Sequence, residues 1–227
     1  MTIRKQRLEV TPQGWPDIAL EGLLEIPDPC PKNEAAVVAH PHPLYGGTMN
    51  NAVVYHLRAA FLEAGIAALR FNFRGVEQST GTHSGGRGEL DDVRGAADLL
   101  VRKGFRPLAF SGFSFGSLMS WWAACLRPAS VSRYIGIAFP TESSNLPLDM
   151  LSELPAASFP CLFVVGENDE ISKPDRVTEL LSFEQEPRIV TVPAADHLFT
   201  ERSWKLSVKN AVQEWLRDQG CPPLDEE

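Results

Sequence analysis

The apolar run Pro107-Leu108-Ala109-Phe110-Ser111 leads directly into Gly112-Phe113-Ser114-Phe115-Gly116, and that pentad leads directly into Ser117-Leu118-Met119-Ser120-Trp121-Trp122-Ala123-Ala124. A strand, a Gly-x-Ser-x-Gly turn and a helix in immediate succession form a nucleophile elbow. The residue types follow from the geometry. A serine on so sharp a turn has strained backbone angles, and flanking glycines, lacking Cβ, let strand and helix approach closely. The same turn places the Phe115 N–H at a helix N-terminus, where a free donor and the helix dipole favour developing negative charge.

A pentad alone carries little weight, so the residues downstream decide. Pro160-Cys161-Leu162-Phe163-Val164-Val165 reads as a buried strand ending at Gly166-Glu167-Asn168-Asp169-Glu170-Ile171. A helical stretch, Pro174 to Phe183, and a strand, Arg188 to Val192, follow, and behind that strand stands Ala195-Asp196-His197-Leu198-Phe199. Nucleophile, acid and base therefore come in the order Ser114, Asp169, His197, each on a turn or loop after a strand. In those roles His197 accepts the Ser114 proton and returns it to the leaving group, while Asp169 orients the imidazole. The plain alternatives are a helix cap for Asp169 and a surface position for His197.

The rest of the chain supports a layered α/β architecture. Strands Ile3 to Val10 and Ile18 to Ile26, joined at Pro12-Gln13-Gly14-Trp15-Pro16, read as a half-exposed antiparallel hairpin. Strands at Ala35 to Ala39, Ile66 to Phe71 and Val131 to Phe139 then alternate with helices at Asn51 to Ala64 and Glu89 to Arg102. A last helix, Ser203 to Leu216, carries a core stripe of Trp204, Val208, Val212 and Trp215. The expectation is a mostly parallel central sheet with an N-terminal antiparallel hairpin and helices on both faces, forming a single domain over residues 1–227 with a frayed tail at 220–227. The connection Pro140 to Pro160 has room for one short helix, about Leu148 to Leu154, and so for no lid domain.

Charge and cysteine usage narrow the function classes. A net charge of -8 without a basic run argues against a nucleic-acid partner. No apolar stretch reaches the roughly 20 residues of a spanning helix, and the charged start of the chain does not read as a secretory signal. The expectation is therefore a cytoplasmic protein without a membrane partner. Cys30, Cys125, Cys161 and Cys221 form no Cys-x-x-Cys pair, and Cys125 and Cys161 read as core thiols.

His40-Pro41-His42-Pro43-Leu44-Tyr45-Gly46-Gly47 follows the first parallel strand, where the second oxyanion-hole donor belongs. Prolines have no N–H, which leaves the amides of His42, Leu44 and Tyr45. His42 ranks first and Leu44 second as partner to Phe115. His40 reads as a buried, hydrogen-bonded shaper of the loop. Its spacing with His42 also permits a metal site, although the further ligands such a site needs do not follow.

This octapeptide with Thr48-Met49-Asn50-Asn51, then Leu69-Arg70-Phe71-Asn72-Phe73-Arg74-Gly75-Val76, then Gly112 to Ser117, resembles the small lidless bacterial α/β-hydrolases, more distantly related to dienelactone hydrolases and the catalytic domain of Xaa-Pro dipeptidyl peptidases. The resemblance runs from about Glu21 to Trp215. It implies the α/β-hydrolase fold and the triad Ser114, Asp169 and His197; it supplies no substrate. The sequence departs from the family pattern at two places. The Arg-Gly-Val-Gly turn ends in Glu77, and the acidic residue expected near position 84 is Ser84. Both lie in a loop, Gly75 to Gly88, that borders the active site in this fold, so Glu77 and His83, with Tyr45 of the His-Pro-His-Pro segment, are the candidate substrate-side residues. Glu77 either repels anions or is merely solvated, and the second reading is preferred.

The expected activity is that of a cofactor-free, metal-free serine hydrolase of the carboxylesterase or thioesterase type, acting on small-molecule esters or thioesters. Amide or peptide cleavage ranks below it. A hydrolase-fold binding protein with an idle triad, and a metal-dependent hydrolase using His40 and His42, are the competing readings. A homodimer through an edge strand or an exposed helix stays open.

Overall fold

A computed structural model of the chain describes residues 1–142, 145–146 and 148–224. Eight strands form one sheet: β1 (Thr2–Val10), β2 (Leu20–Asp28), β3 (Ala35–Ala39), β4 (Ala67–Phe71), β5 (Leu108–Phe113), β6 (Val131–Ile137), β7 (Cys161–Gly166) and β8 (Arg188–Val192). Their order is β1-β2-β4-β3-β5-β6-β7-β8. β1 and β2 pair antiparallel, as do β2 and β4, and every later pairing is parallel. The parallel strands are apolar almost throughout because helices cover both faces. Helices α2 (Arg87–Arg102) and α3 (Phe115–Cys125) pack on one side, where Leu90, Val93, Leu118 and Trp121 join the strand residues Val37, Leu69 and Phe163. On the other side α1 (Ala52–Glu63) and α5 (Arg202–Asp218) bury Val53, Leu57, Phe61, Val208, Val212 and Trp215 against Val38, Ala68 and Val164. No helix among the described residues is long and apolar enough to cross a membrane.

Three of the departures from expectation have a clear local reason. β6 stops at Ile137 rather than Phe139 because Ala138 takes a left-handed φ of 46°, turning the chain at the strand's C-terminal end. Helix α4 (Pro174–Leu180) ends before Phe183 because Leu181 is already extended and Phe183 forms a bridge with Ala157. Where a frayed tail is expected over 220–227, Gly220 and Cys221 make tertiary contacts. Lys32 Nζ donates to the Gly220 carbonyl at 2.6 Å, Cys221 N donates to the Leu216 carbonyl at 2.9 Å, and Cys221 is buried. Residues 225–227 lie outside the described residues. The Pro140 to Pro160 connection contains the 3₁₀ segment Leu148–Glu153, a short helical element of the size its length allows.

Candidate active site

The parallel strands point their C-terminal ends at one edge of the sheet, and the candidate residues gather there. β5 ends at Phe113, and Ser114 occupies the elbow with φ 52° and ψ −120°, a backbone conformation costing about 1–3 kcal/mol for a non-glycine residue. The turn is held by Ser114 N donating to Ile137 O at 2.9 Å. Both flanking glycines are required by space. A Cβ on Gly112 would lie 2.4 Å from the Gly116 carbonyl, and one on Gly116 would lie 2.4 Å from His40 O. The same close approach locks α3 beneath the loop that leaves β3.

Ser114 Oγ lies 2.8 Å from His197 Nε2. His197 Nδ1 lies 2.8 and 2.9 Å from the two carboxylate oxygens of Asp169. A carboxylate accepts only, so Nδ1 carries the proton and Nε2 presents its lone pair to the serine hydroxyl. Asp169 is buried, and its Oδ1 also accepts from the amides of Ile171 (2.9 Å) and Ser172 (2.8 Å). The carboxylate is thereby fixed by its own loop, and it fixes the imidazole in turn.

The loop after β3 has a hydrogen-bond pattern that decides which amides are available. His40 is fully buried; its Nδ1 donates to Pro41 O at 2.6 Å and its Nε2 accepts from Phe73 N at 3.0 Å. Burial lowers its pKa to about 4, so the ring is neutral, and with both nitrogens engaged neither is available to a metal. His42 Nδ1 accepts from Leu44 N at 3.2 Å, while Tyr45 N and Gly47 N both donate to His42 O at 3.1 Å. The Leu44 N–H is thus turned onto the His42 ring rather than left unpaired. The His42 N–H has no partner in the hydrogen bonds of the described residues, and the Phe115 N–H, at the first turn of α3, has none within the helix.

A cavity of about 540 Å³ opens over Ser114 and His197, lined also by His42, Tyr45, Leu146 and Leu198. Of the three candidate substrate-side residues it brings in Tyr45 alone. Glu77 is exposed and takes a left-handed φ of 51°, at the position where the family pattern has glycine; it does not line the cavity. His83 packs behind the wall, its ring 4.9 Å from that of His42. Its Nδ1 lies 3.0 Å from Glu89 Oε1, close enough for an ion pair but off the line of a hydrogen bond. Buried Glu89 holds that loop. It accepts from Gly86 N and Ser84 N, and Ser84 Oγ donates to it at 3.0 Å. Burial lowers the His42 pKa, and the neighbouring His83 lowers it further.

Sequence reasoning did not single out Leu198, Ile171 or Leu146 as cavity residues. Leu198 follows His197 and Ile171 lies two residues past Asp169, so their proximity to candidate residues was a usable signal. Leu146 sits in a connection of low regularity that offered none.

A family profile described as an alpha/beta hydrolase domain matches residues 33–217. An uncharacterised protein of Rickettsia prowazekii is 32% identical over 197 residues, covering 82% of this chain and 79% of that protein. An α/β serine hydrolase without a lid from Xanthomonas campestris superposes with a TM-score of 0.81 at 30% identity, over 95% of each chain. A homologue of an α/β serine hydrolase from Coxiella burnetii gives 0.80 at 28%, over 93% of this chain and 97% of that one.

Proposed function

The chain belongs to the alpha/beta hydrolase domain family, and from that premise we propose that it is a serine hydrolase cleaving small carboxylic esters or thioesters through an acyl-enzyme on Ser114. The observation that carries this reading is the continuous set of contacts from Asp169 through His197 to Ser114, each at 2.8 Å. Ser114 Oγ attacks the substrate carbonyl carbon as His197 Nε2 takes its proton, and the carbonyl electron pair moves onto oxygen. The N–H groups of Phe115 and His42 receive that oxyanion. One such donor is typically worth about 10²–10³ in rate. Collapse re-forms the carbonyl, breaks the bond to the leaving alkoxide or thiolate, and the proton on Nε2 goes to that group. Water, deprotonated by the same Nε2, then releases the acid and restores Ser114. Asp169 keeps the imidazole in the tautomer that both halves need.

Labelling with a fluorophosphonate, read by intact mass, tests the reading. A single adduct is expected on the wild-type protein and none on Ser114→Ala. The same variant should lose at least about 10⁴ in ester turnover while its unfolding midpoint stays near wild type. A folded wild-type protein that takes no label would leave the binding-protein alternative in front.

A further inference from the structure

The wall and rim of the cavity carry information about the substrate's charge. No lysine or arginine is among the described residues lining it, and the neighbouring positions 143, 144 and 147 are Ser, Ser and Pro by type. His42, a polar ring in the wall, accepts from Leu44 N, and burial lowers its pKa. The backbone of Glu142 joins the loop of the lining residue Ile171, its N–H donating to Ile171 O at 3.0 Å. The ammonium of Lys173, on that same loop, is turned onto Asp169 O at 2.8 Å. Around the opening, Tyr45, Leu198 and Ile171 line the cavity and yet are 77%, 60% and 37% exposed, with Leu44 beside Tyr45 at 68%. Single exposed apolar side chains are ordinary; several around the mouth of one cavity make a collar.

Resting on the serine-hydrolase reading, we propose that this site selects uncharged esters whose apolar arm lies against the collar of Tyr45, Ile171 and Leu198, and discriminates against substrates bearing a carboxylate or phosphate on that arm. An anionic group there would leave water without a cation to meet it. An alkyl arm would cover the collar and remove its surface from water.

Four p-nitrophenyl esters test this: acetate as the short reference, and three with a six-carbon acyl chain, namely hexanoate, the adipic half-ester with its distal carboxylate free, and the same adipate with that carboxyl methylated. The leaving group is constant, so kcat/KM reports the arm. Hexanoate and the methyl adipate are expected to exceed the free acid by about 10²-fold or more, and hexanoate to exceed acetate by at least about tenfold. In Leu198→Lys the ratio of free acid to hexanoate should rise by about tenfold, because the new ammonium meets the carboxylate. Equal kcat/KM for hexanoate and the free acid on a protein whose Ser114 takes fluorophosphonate would overturn the charge selection and leave the mechanism standing. Absence of both ester turnover and label would remove the serine-hydrolase reading, and this proposal with it.

Discussion

At the scale of single residues, His40 joins two loops of the site. Its ring bridges Pro41 O, on the proposed oxyanion loop, and Phe73 N, just beyond β4. That neutral bridge gives the fold a pH dependence of known sign. The native pKa is about 4 against an ordinary value of about 6.5. Above pH 6.5 neither native nor unfolded chain binds a proton at this ring. As pH falls from 6.5 to 4, the unfolded chain takes one and the native protein does not, so stability is lost through that window. The loss from this residue amounts to about 3 kcal/mol and is complete below pH 4. Urea unfolding of wild type and His40→Gln across this range should show a shallower decline in the variant. Parallel declines would mean that His40 takes up its proton as readily in the native protein as in the unfolded chain. His40, as a buried shaper of its loop, was legible from sequence, because a histidine between an apolar strand and a proline has few other uses. Which neighbouring amide stays open was not legible, since it depends on the His42 ring closing back onto Leu44 N.

Among elements, the antiparallel β2 is tied to the parallel part of the sheet by one buried carboxylate. Glu25, on β2, is inaccessible to solvent. It accepts from Arg58 Nε of α1 at 2.6 Å and from an Arg70 guanidinium nitrogen of β4 at 3.1 Å, while Arg70 also donates to Met49 O at 2.7 Å. Burial raises the pKa of the Glu25 carboxyl, but the hydrogen bonds and charges of Arg58 and Arg70 outweigh it, so the group stays ionised. Glu25→Gln would leave two buried guanidiniums facing a neutral amide and should destabilise the protein by about 3–5 kcal/mol, read by denaturant unfolding. A change under about 1 kcal/mol would mean that water reaches these cations in the native state. The sequence made the strands and helices legible through their apolar periodicity. It did not disclose this cluster, because alternation marks Glu25 as an outward residue of a half-exposed strand, and only α1 folding over that face buries it.

For the whole molecule, both faces of the central parallel strands are covered, and the thiols record it. Cys125 in α3 and Cys161 in β7 are buried; burial pushes the Cys125 thiol up to about 12 and raises that of Cys161 as well. Neither should react with a maleimide until the molecule unfolds globally, so their alkylation rate, followed by mass spectrometry against denaturant, should track the unfolding transition. Rapid labelling of Cys125 in the native state would mean that α3 lifts from the sheet locally. The sequence by itself determined the order of strands and helices, the elbow at Ser114 and the order of the candidate nucleophile, acid and base, because each is written in contiguous residues: an apolar run, two glycines about a serine, an acid or a histidine just past a strand. It also marked the sheet as covered on both faces, since strands as apolar as β3 and β7 cannot face water. Only the tertiary structure decided that His197 meets Ser114 at a separation of 83 positions along the chain, that the His42 amide is the open one, and that Glu77 and His83 stay outside the cavity while Leu146, Ile171 and Leu198 line it. Those outcomes depend on contacts between segments remote in sequence, and no local pattern of residues encodes which side chains such segments turn toward one another.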